Sequence, residues 1–484
     1  MIQFMQGRSA NPGALSKFDF AAVAYLLLPV AIFLVAYMKP QVWVPGLVLL
    51  GFTLWRCAVR IERAPSPQGI PLCLYLWAIS GLTVFASGSF GVAPTNTDWI
   101  KHFAVFNFIV DNPSLIGTAP GYDGGTLRYY LGWYVVPGML AKAISAKALL
   151  PLIGAWSTAG LYLFFSVAAT LTDRPRWRFA LPAVFLLFSG ADAIGTAITG
   201  FIIASSDHIE WWAGWIEFSS TYTDIIWAPQ HALSAWLGVA LALRLIGNAS
   251  ALVVVPLVMS AMIIWSPFSA IGLVPFFVFL LWQQRRFVSA EVVISALAML
   301  LIAMLLGRYM RVGTEDMPFK AVWNLRCLGQ GPCYTFPAYL RFIALEVAPT
   351  IIVCQIVTRG RNPMVWIASL SLLAMPFIQF GAYNDLNLHG SIPAIAVLAV
   401  TGWAVMPCAS RLIRSVFTII LLAGFPTPFM EIRRAFILKE APTPDMRFSY
   451  LLEAAPSIRN QYLVDKAPWI VRRPRPVRDP PQGK

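Results

Sequence analysis

Apolar residues along most of this chain do not alternate with polar ones; they dominate stretches of a dozen residues or more that carry few charges. Such runs occur at 21–38, 42–55, 70–89, 149–171, 179–202, 229–246, 250–265, 268–282, 288–306, 339–358, 364–380, 391–408 and 412–427. None shows the polar face of a helix lying on a soluble core, and many approach the roughly 20 residues that cross a hydrocarbon layer about 30 Å thick. The pattern predicts an all-α, polytopic transmembrane helical bundle of about 13 spans.

Composition agrees. Of 484 residues, 58% are hydrophobic and 12% charged, and the mean hydropathy is +0.68, which excludes a soluble globule. The first run passes into Met38-Lys39-Pro40 with no small-residue cleavage signal, so it reads as a retained helix.

The net charge of +14 is explained by topology, not by nucleic acid, for which there is no motif. A cytoplasmic N-terminus places Arg56/Arg60/Arg63, Arg174/Arg176/Arg178, Arg285/Arg286, Arg359/Arg361 and Arg411/Arg414 on the cytoplasmic side. The segment 129–143 decides this register. It is short, contains Gly132, Pro137 and Gly138, and carries Tyr129, Tyr130, Trp133 and Tyr134, so it reads as an interfacial helix; the other reading is a short tilted span. Residues 1–430 then form the membrane domain, with external loops at 90–148, 203–228, 307–338 and 381–390. Residues 431–484 form a basic, Pro-rich external tail whose end, from Arg472, has the composition of a disordered segment.

All four histidines, His102, His208, His231 and His389, fall in or beside these external segments. Cys327 and Cys333, in a Gly-rich external turn, are predicted to form a disulfide; Cys57, Cys73, Cys354 and Cys408 are expected to be reduced.

Four constellations can carry chemistry. In Asn96-Thr-Asp98-Trp-Ile-Lys-His102, capping by Asn96 or Thr97 would put Asp98 and His102 on one helix face, where they can take a proton, bind a cation or grip a phosphate; the plainer reading is a stabilising i,i+4 pair. Gly124-Gly125-Thr-Leu-Arg128-Tyr129-Tyr130 presents a guanidinium and two phenols at headgroup depth, as a phosphate clamp or a membrane anchor. Between Ser206 and His231, the carboxylates Asp207, Glu210, Glu217 and Asp224 are interleaved with tryptophans, as in a sugar site, and end on Gln230 and His231. In Tyr383-Asn384-Asp385-Leu-Asn-Leu-His389-Gly-Ser391-Ile-Pro393, His389 and Ser391 precede an apolar helix whose N-terminus can hold an anion. Asp192 and Glu346, inside apolar runs, are expected to face a cavity. The sequence contains no Walker loop, G-x-S-x-G elbow, H-E-x-x-H or dinucleotide fingerprint.

The order of these parts resembles the GT-C class of integral membrane glycosyltransferases over residues 70–400: a long first external loop opening on Asp98, an aromatic helix at 129–143, the Arg174–Arg178 turn and a further polar external loop. The stretch Asn384–Pro393 also looks like a loop in bacterial multi-pass proteins related to that class, where Arg more often stands in place of His389. The chain departs from the class in having Trp99 after Asp98 instead of a second acid, two extra N-terminal spans and no large soluble C-terminal domain. The resemblance implies a polyprenyl-phosphate-linked sugar as donor, a glycan, lipid or protein acceptor, a bacterial inner-membrane location and a divalent cation, Mg or Mn, as candidate cofactor. It makes Asp98 the general base or a metal ligand and His102 a catalytic residue that, with Arg128 and His389, neutralises the departing phosphate. Arg128, Tyr129, Glu210, Asp224, Gln230, His231, Asn384, Asp385 and His389 become substrate-binding residues. The competing readings are a transporter or flippase for lipid-linked or anionic substrates, and a noncatalytic scaffold.

Overall fold

A computed structural model describes residues 14–61, 68–91, 93, 95–111, 126–200, 208–311, 319–321, 334–380, 384–437, 442–454 and 462–464. Cys327 and Cys333, with the bridge expected between them, lie outside the described residues, as do Asp207, Gly124, Gly125, Tyr383 and the chain beyond residue 464. Cys57, Cys73, Cys354 and Cys408 carry free thiols.

The fold is nearly all-α. In chain order the helices that build it are α1 (Lys17–Tyr37), α2 (Pro40–Ala58), α3 (Ile70–Ala86), α4 (Trp99–Asp111), α5 (Gly132–Ile144), α6 (Leu149–Ala168), α7 (Leu181–Leu186) and α8 (Asp192–Thr199). They continue as α9 (Thr221–Trp227), α10 (Pro229–Arg244), α11 (Ala251–Trp265), α12 (Pro267–Gln284), α13 (Ala290–Arg311), α14 (Phe336–Glu346), α15 (Ala348–Thr358) and α16 (Pro363–Ala374). The last are α17 (Asp385–Gly390), α18 (Ile392–Val405), α19 (Arg411–Gly424), α20 (Pro426–Ile437) and α21 (Phe448–Ala454). Two small antiparallel ladders pair β1 (Thr126–Leu127) with β4 (Leu463–Val464) and β2 (Phe319–Ala321) with β3 (Ile378–Phe380).

Among the described residues, seven helices are long and apolar enough to cross a membrane: Lys17–Tyr37, Pro40–Ala58, Ala146–Leu171, Pro267–Phe287, Ala290–Arg311, Asp385–Cys408 and Arg411–Arg434. An eighth is reached if Phe336–Glu346 and Ala348–Thr358, bent by 54° at their junction, count as one span. This is fewer than the 13 apolar runs: α3, α10 and α11 are helices of only 17, 16 and 15 residues, and two further runs are interrupted. The run 179–202 breaks between α7 and α8, where Ser189 and Asp192 bond to each other instead of continuing a helix. The run 364–380 ends in a Met375–Phe377 turn and then strand β3.

Two helices form the centre. Every residue of α10 except Arg244 is buried, and α18 is buried through Ala404. Helices that are apolar all round belong inside a bundle, and α10 packs against α6, α12 and α18. The outer helices α2, α3, α13 and α19 instead leave Val48, Ile70, Ile294 and Leu412 more than half exposed, a surface that water would penalise and lipid would not. Buried polar contacts fix the packing. The Trp177 and Trp403 indoles each donate to the other residue's carbonyl, and Trp265 donates to the Leu26 carbonyl.

The segment at 129–143 is not a surface layer. Trp133, Tyr134 and Val135 of α5 are fully buried, and α5 packs on α1, α4 and α6. Gly132 meets Trp265 so closely that a Cβ would lie 2.8 Å from the Trp265 Cα. The tail also returns to the bundle: Glu431 of α20, Phe448 and Leu452 of α21 and Tyr462 are buried.

Candidate functional site

Two polar clusters sit back to back, separated by Trp227. The first begins at the start of α4. The Asn96 side chain accepts from the Asp98 backbone N–H and donates to the Ile226 carbonyl, which also receives the Trp99 indole N–H. The end of α9 is thereby capped by the start of α4. Asp98 keeps 34% of its side chain accessible and accepts from Lys101 Nζ at 2.5 Å. Burial raises the cost of the carboxylate, but the Lys101 ammonium outweighs it and holds Asp98 below the usual carboxylate range.

His102 does not face outward beside Asp98. It is fully buried, its Nε2 is 3.0 Å from the Trp227 carbonyl and its Nδ1 is 2.6 Å from the Tyr134 hydroxyl. A carbonyl only accepts, so Nε2 carries the proton and Nδ1 accepts from Tyr134. Burial, reinforced by Lys101, pulls its pKa down to about 3 and keeps the ring neutral.

The N-terminal turn of α12 brings two more histidines to the same place. His231 Nδ1 lies 2.6 Å from Ser266 Oγ, Ser266 Oγ lies 2.7 Å from Ser269 Oγ, and Ser269 donates to the His389 carbonyl at 3.0 Å. The chain ends on a carbonyl, so its direction is fixed: Ser269 donates to His389, Ser266 to Ser269, and His231 Nδ1–H to Ser266. His231 Nε2 is left as a bare acceptor with no hydrogen-bond partner, and neither His389 Nδ1 nor either amide atom of Gln230 has one. The two imidazoles stack with centroids 3.7 Å apart and planes 10° apart, and Tyr130 packs on His231 at 4.8 Å.

This contact needs a glycine. A Cβ on Gly272 of α12 would stand 2.1 Å from the Gly390 carbonyl oxygen, so α12 and α17 meet backbone to backbone. Asp98 and Lys101 are close enough to His389 to act on it electrostatically, as Lys101 does on Tyr130 and Tyr462, and Asp385 on the same two phenols. Tyr129 packs against Tyr130 and Tyr462 with tilted rings, centroids 3.8 Å and 4.8 Å apart.

The structure therefore brings together Asp98, Tyr129, His231, Asp385 and His389 of the expected site, with Gln230 beside them. Asn384 supports the turn from within, accepting from the Asn387 amide at 2.7 Å. Arg128 turns aside and donates to the Met310 carbonyl near the end of α13. Glu210 and Asp224 lie on the far side of Trp227, 1% and 3% exposed.

Sequence reasoning passed over Lys101 and Tyr462, and named Tyr130 only as a phenol beside Arg128. Lys101 had a signal: at i+3 from Asp98 it shares the carboxylate's helix face. Tyr462 had none, because its place depends on the β1–β4 pairing of two distant segments, with the Arg128 backbone N–H donating to the Tyr462 carbonyl at 2.7 Å.

A divalent cation at Asp98 and His102 does not fit these residues. Both imidazole nitrogens of His102 are engaged, and the Lys101 ammonium already occupies the carboxylate's cationic neighbour position.

The second cluster surrounds His208, whose Nδ1 lies 3.1 Å from Glu431 Oε1. Glu431 also receives the Trp227 indole N–H at 2.8 Å and pairs with Arg434. His208 Nε2 is 3.5 Å from Glu217 Oε1 and 3.7 Å from Glu210 Oε2. Burial works against a charged ring, but Glu217, Glu431 and Glu210 prevail and hold the His208 pKa well above its ordinary value. Burial pushes the Glu210 and Asp224 carboxyls well above the normal range. No protein-family model matches this sequence, and no curated protein aligns with it significantly.

Proposed function

We propose that this chain is a membrane glycosyltransferase of the GT-C type, moving a sugar from a polyprenyl-phosphate carrier to an acceptor hydroxyl on the external face of a bacterial cytoplasmic membrane. In this reading the apolar runs form about 13 spans, some broken, and the N-terminus is cytoplasmic. One observation carries the proposal. A partly accessible carboxylate–ammonium pair, Asp98–Lys101, lies within electrostatic reach of His389, which stacks on His231 beside buried polar atoms that lack partners. Buried polar atoms normally find partners, and a sugar supplies the hydroxyls these would bind.

The chemistry follows from these groups. The acceptor O–H gives its proton to the Asp98 carboxylate while its oxygen bonds to the anomeric carbon. The bond from that carbon to the phosphate oxygen breaks, and the polyprenyl phosphate leaves with the electron pair, inverting the centre. Negative charge grows on the phosphate, and Lys101 stands where a fixed cation stabilises it. Gln230, His231, Asp385 and His389 hold the sugar hydroxyls, and Tyr129 and Tyr130 offer ring faces. His102 acts through position, anchoring α4 to the end of α9. No metal takes part in this scheme.

The test is an assay of purified protein with a panel of polyprenyl-phosphate sugars. Asp98→Asn is expected to lower turnover by a factor of about 10² or more. Undiminished turnover in that variant sinks the assignment. Wild-type protein that moves lipid-linked substrate across vesicles without transferring sugar would establish the flippase reading instead.

A further inference from the structure

The His208 cluster lies outside the site just described, and its geometry is unusual for a set of ion pairs. His208 Nε2 stands 3.5 Å from Glu217 Oε1 and 3.7 Å from Glu210 Oε2, beyond the ordinary range of an N–H···O bond. The three ligand atoms lie within 4.8 Å of one another. Those spacings resemble the edge of a coordination tetrahedron, about 3.4 Å for metal–ligand bonds near 2.1 Å.

A second feature points inward. Glu210 is 1% exposed and its Oε1 accepts from the Ser220 backbone N–H at 2.5 Å, whereas Oε2, on the His208 side, has no hydrogen-bond partner. Glu217 Oε1 accepts from Ser219 Oγ at 2.7 Å, which orients that carboxylate and leaves it a free lone pair. His208 Nδ1 donates to Glu431, an outer carboxylate of the kind that fixes the tautomer and direction of a metal-binding imidazole.

From this geometry we infer that His208 Nε2, Glu210 Oε2 and Glu217 Oε1 form a site for one divalent transition-metal ion, zinc foremost, with Glu431 as the outer-shell partner of His208. A nitrogen ligand disfavours magnesium and calcium. The ion would clasp the segment from His208 to Glu217 against α20 and so set Trp227, which forms the wall of the Asp98 site. The inference does not depend on sugar transfer.

The experiment uses the full chain in detergent, loaded with zinc, passed through a desalting column and assayed by elemental analysis, with cobalt(II) absorption as a second readout. Wild type is expected to retain about one zinc per chain, and His208→Ala and Glu217→Gln less than a fifth of that, with helical circular dichroism checking that each is folded. Asp98→Asn is expected to retain the full amount, which separates this site from the transfer site. Wild type holding no zinc, or folded variants holding as much as wild type, overturns the proposal. If both ligand variants fail to fold, the cobalt spectrum of wild type decides: bands without a nitrogen–oxygen tetrahedral signature also overturn it.

Discussion

His231 and His389, from α10 and α17, lie ring on ring at 3.7 Å, and a directed chain of hydrogen bonds through Ser266 and Ser269 ties the ring of one to the backbone of the other. The serines hold His231 with its Nε2 lone pair turned away from them and unpartnered. Ser266→Ala removes the acceptor for His231 Nδ1–H and leaves a buried donor unpaired, at a cost of about 1–3 kcal/mol. The ring is then free to change tautomer. Ser266→Ala is expected to reduce turnover at least tenfold, and His231→Gln similarly, with the double variant no worse than the poorer single one, because the serine acts through the ring. Multiplying effects in the double variant would show that Ser266 has a separate role.

Lys101 governs the ionisation of Asp98. Burial raises the Asp98 pKa, and the ammonium 2.5 Å away more than reverses it. Lys101→Met removes the main lowering influence, so the folded pKa rises and the carboxylate takes up a proton at a higher pH. The acid limb of the pH–rate profile is therefore expected to move to higher pH in Lys101→Met, with a lower plateau because the departing phosphate loses its cation. An acid limb that stays in place would show that Asp98 is not the group being titrated.

Gly272 and Gly307 make opposite predictions for one substitution. Alanine at 272 places a methyl 2.1 Å from the Gly390 carbonyl oxygen, a rigid backbone atom, and must push α12 away from the turn that carries His389. A Cβ at Gly307 of α13 meets nothing within 4 Å. Gly272→Ala is expected to lower the melting temperature sharply or block folding, with an overpacking cost of about 1–3 kcal/mol or more. Gly307→Ala is expected to stabilise by about 0.5–1 kcal/mol through lost freedom of the unfolded chain. Equal melting temperatures for the two variants would contradict the close approach of α12 and α17.

How much of this was legible in the sequence depends on the range of the forces involved. The continuous apolar runs gave α1, α2, α12, α13 and α18 within a few residues, because a bilayer-length helix needs only its own composition. The break in 179–202 was hidden, since it rests on Asp192 receiving hydroxyls from Ser189 nearby and from Thr427 of α20, far along the chain. In the site, Asp98, His231 and His389 stood out as polar residues at the ends of apolar runs. Their partners did not. Ser266, Ser269 and Gly272 read as ordinary residues at a helix start, and their importance is a matter of packing between α10, α12 and α17. His102 stood out for its type and spacing, yet its ring turns inward, where the Trp227 carbonyl and the Tyr134 hydroxyl engage both of its nitrogens.

That inward placement makes His102 a source of acid sensitivity. Folded, the ring is neutral with a pKa of about 3, lowered first by burial and then by Lys101, although Asp98 and the bond to Trp227 oppose this. In the unfolded chain its pKa returns to about 6.5. Between these values the unfolded state binds a proton that the folded state refuses, so unfolding is favoured increasingly as the pH falls. The contribution of this residue is therefore complete above about pH 6.5 and is lost as the pH drops toward 3, with a slope approaching 1.4 kcal/mol per pH unit. His102→Gln retains an N–H for the Trp227 carbonyl and an oxygen that can accept from Tyr134, but it does not titrate. Thermal unfolding in detergent at pH 7 and pH 5 is expected to show a large loss for wild type and a much smaller loss for His102→Gln. If both proteins lose the same number of degrees, the buried neutral imidazole is not what makes the fold acid-labile.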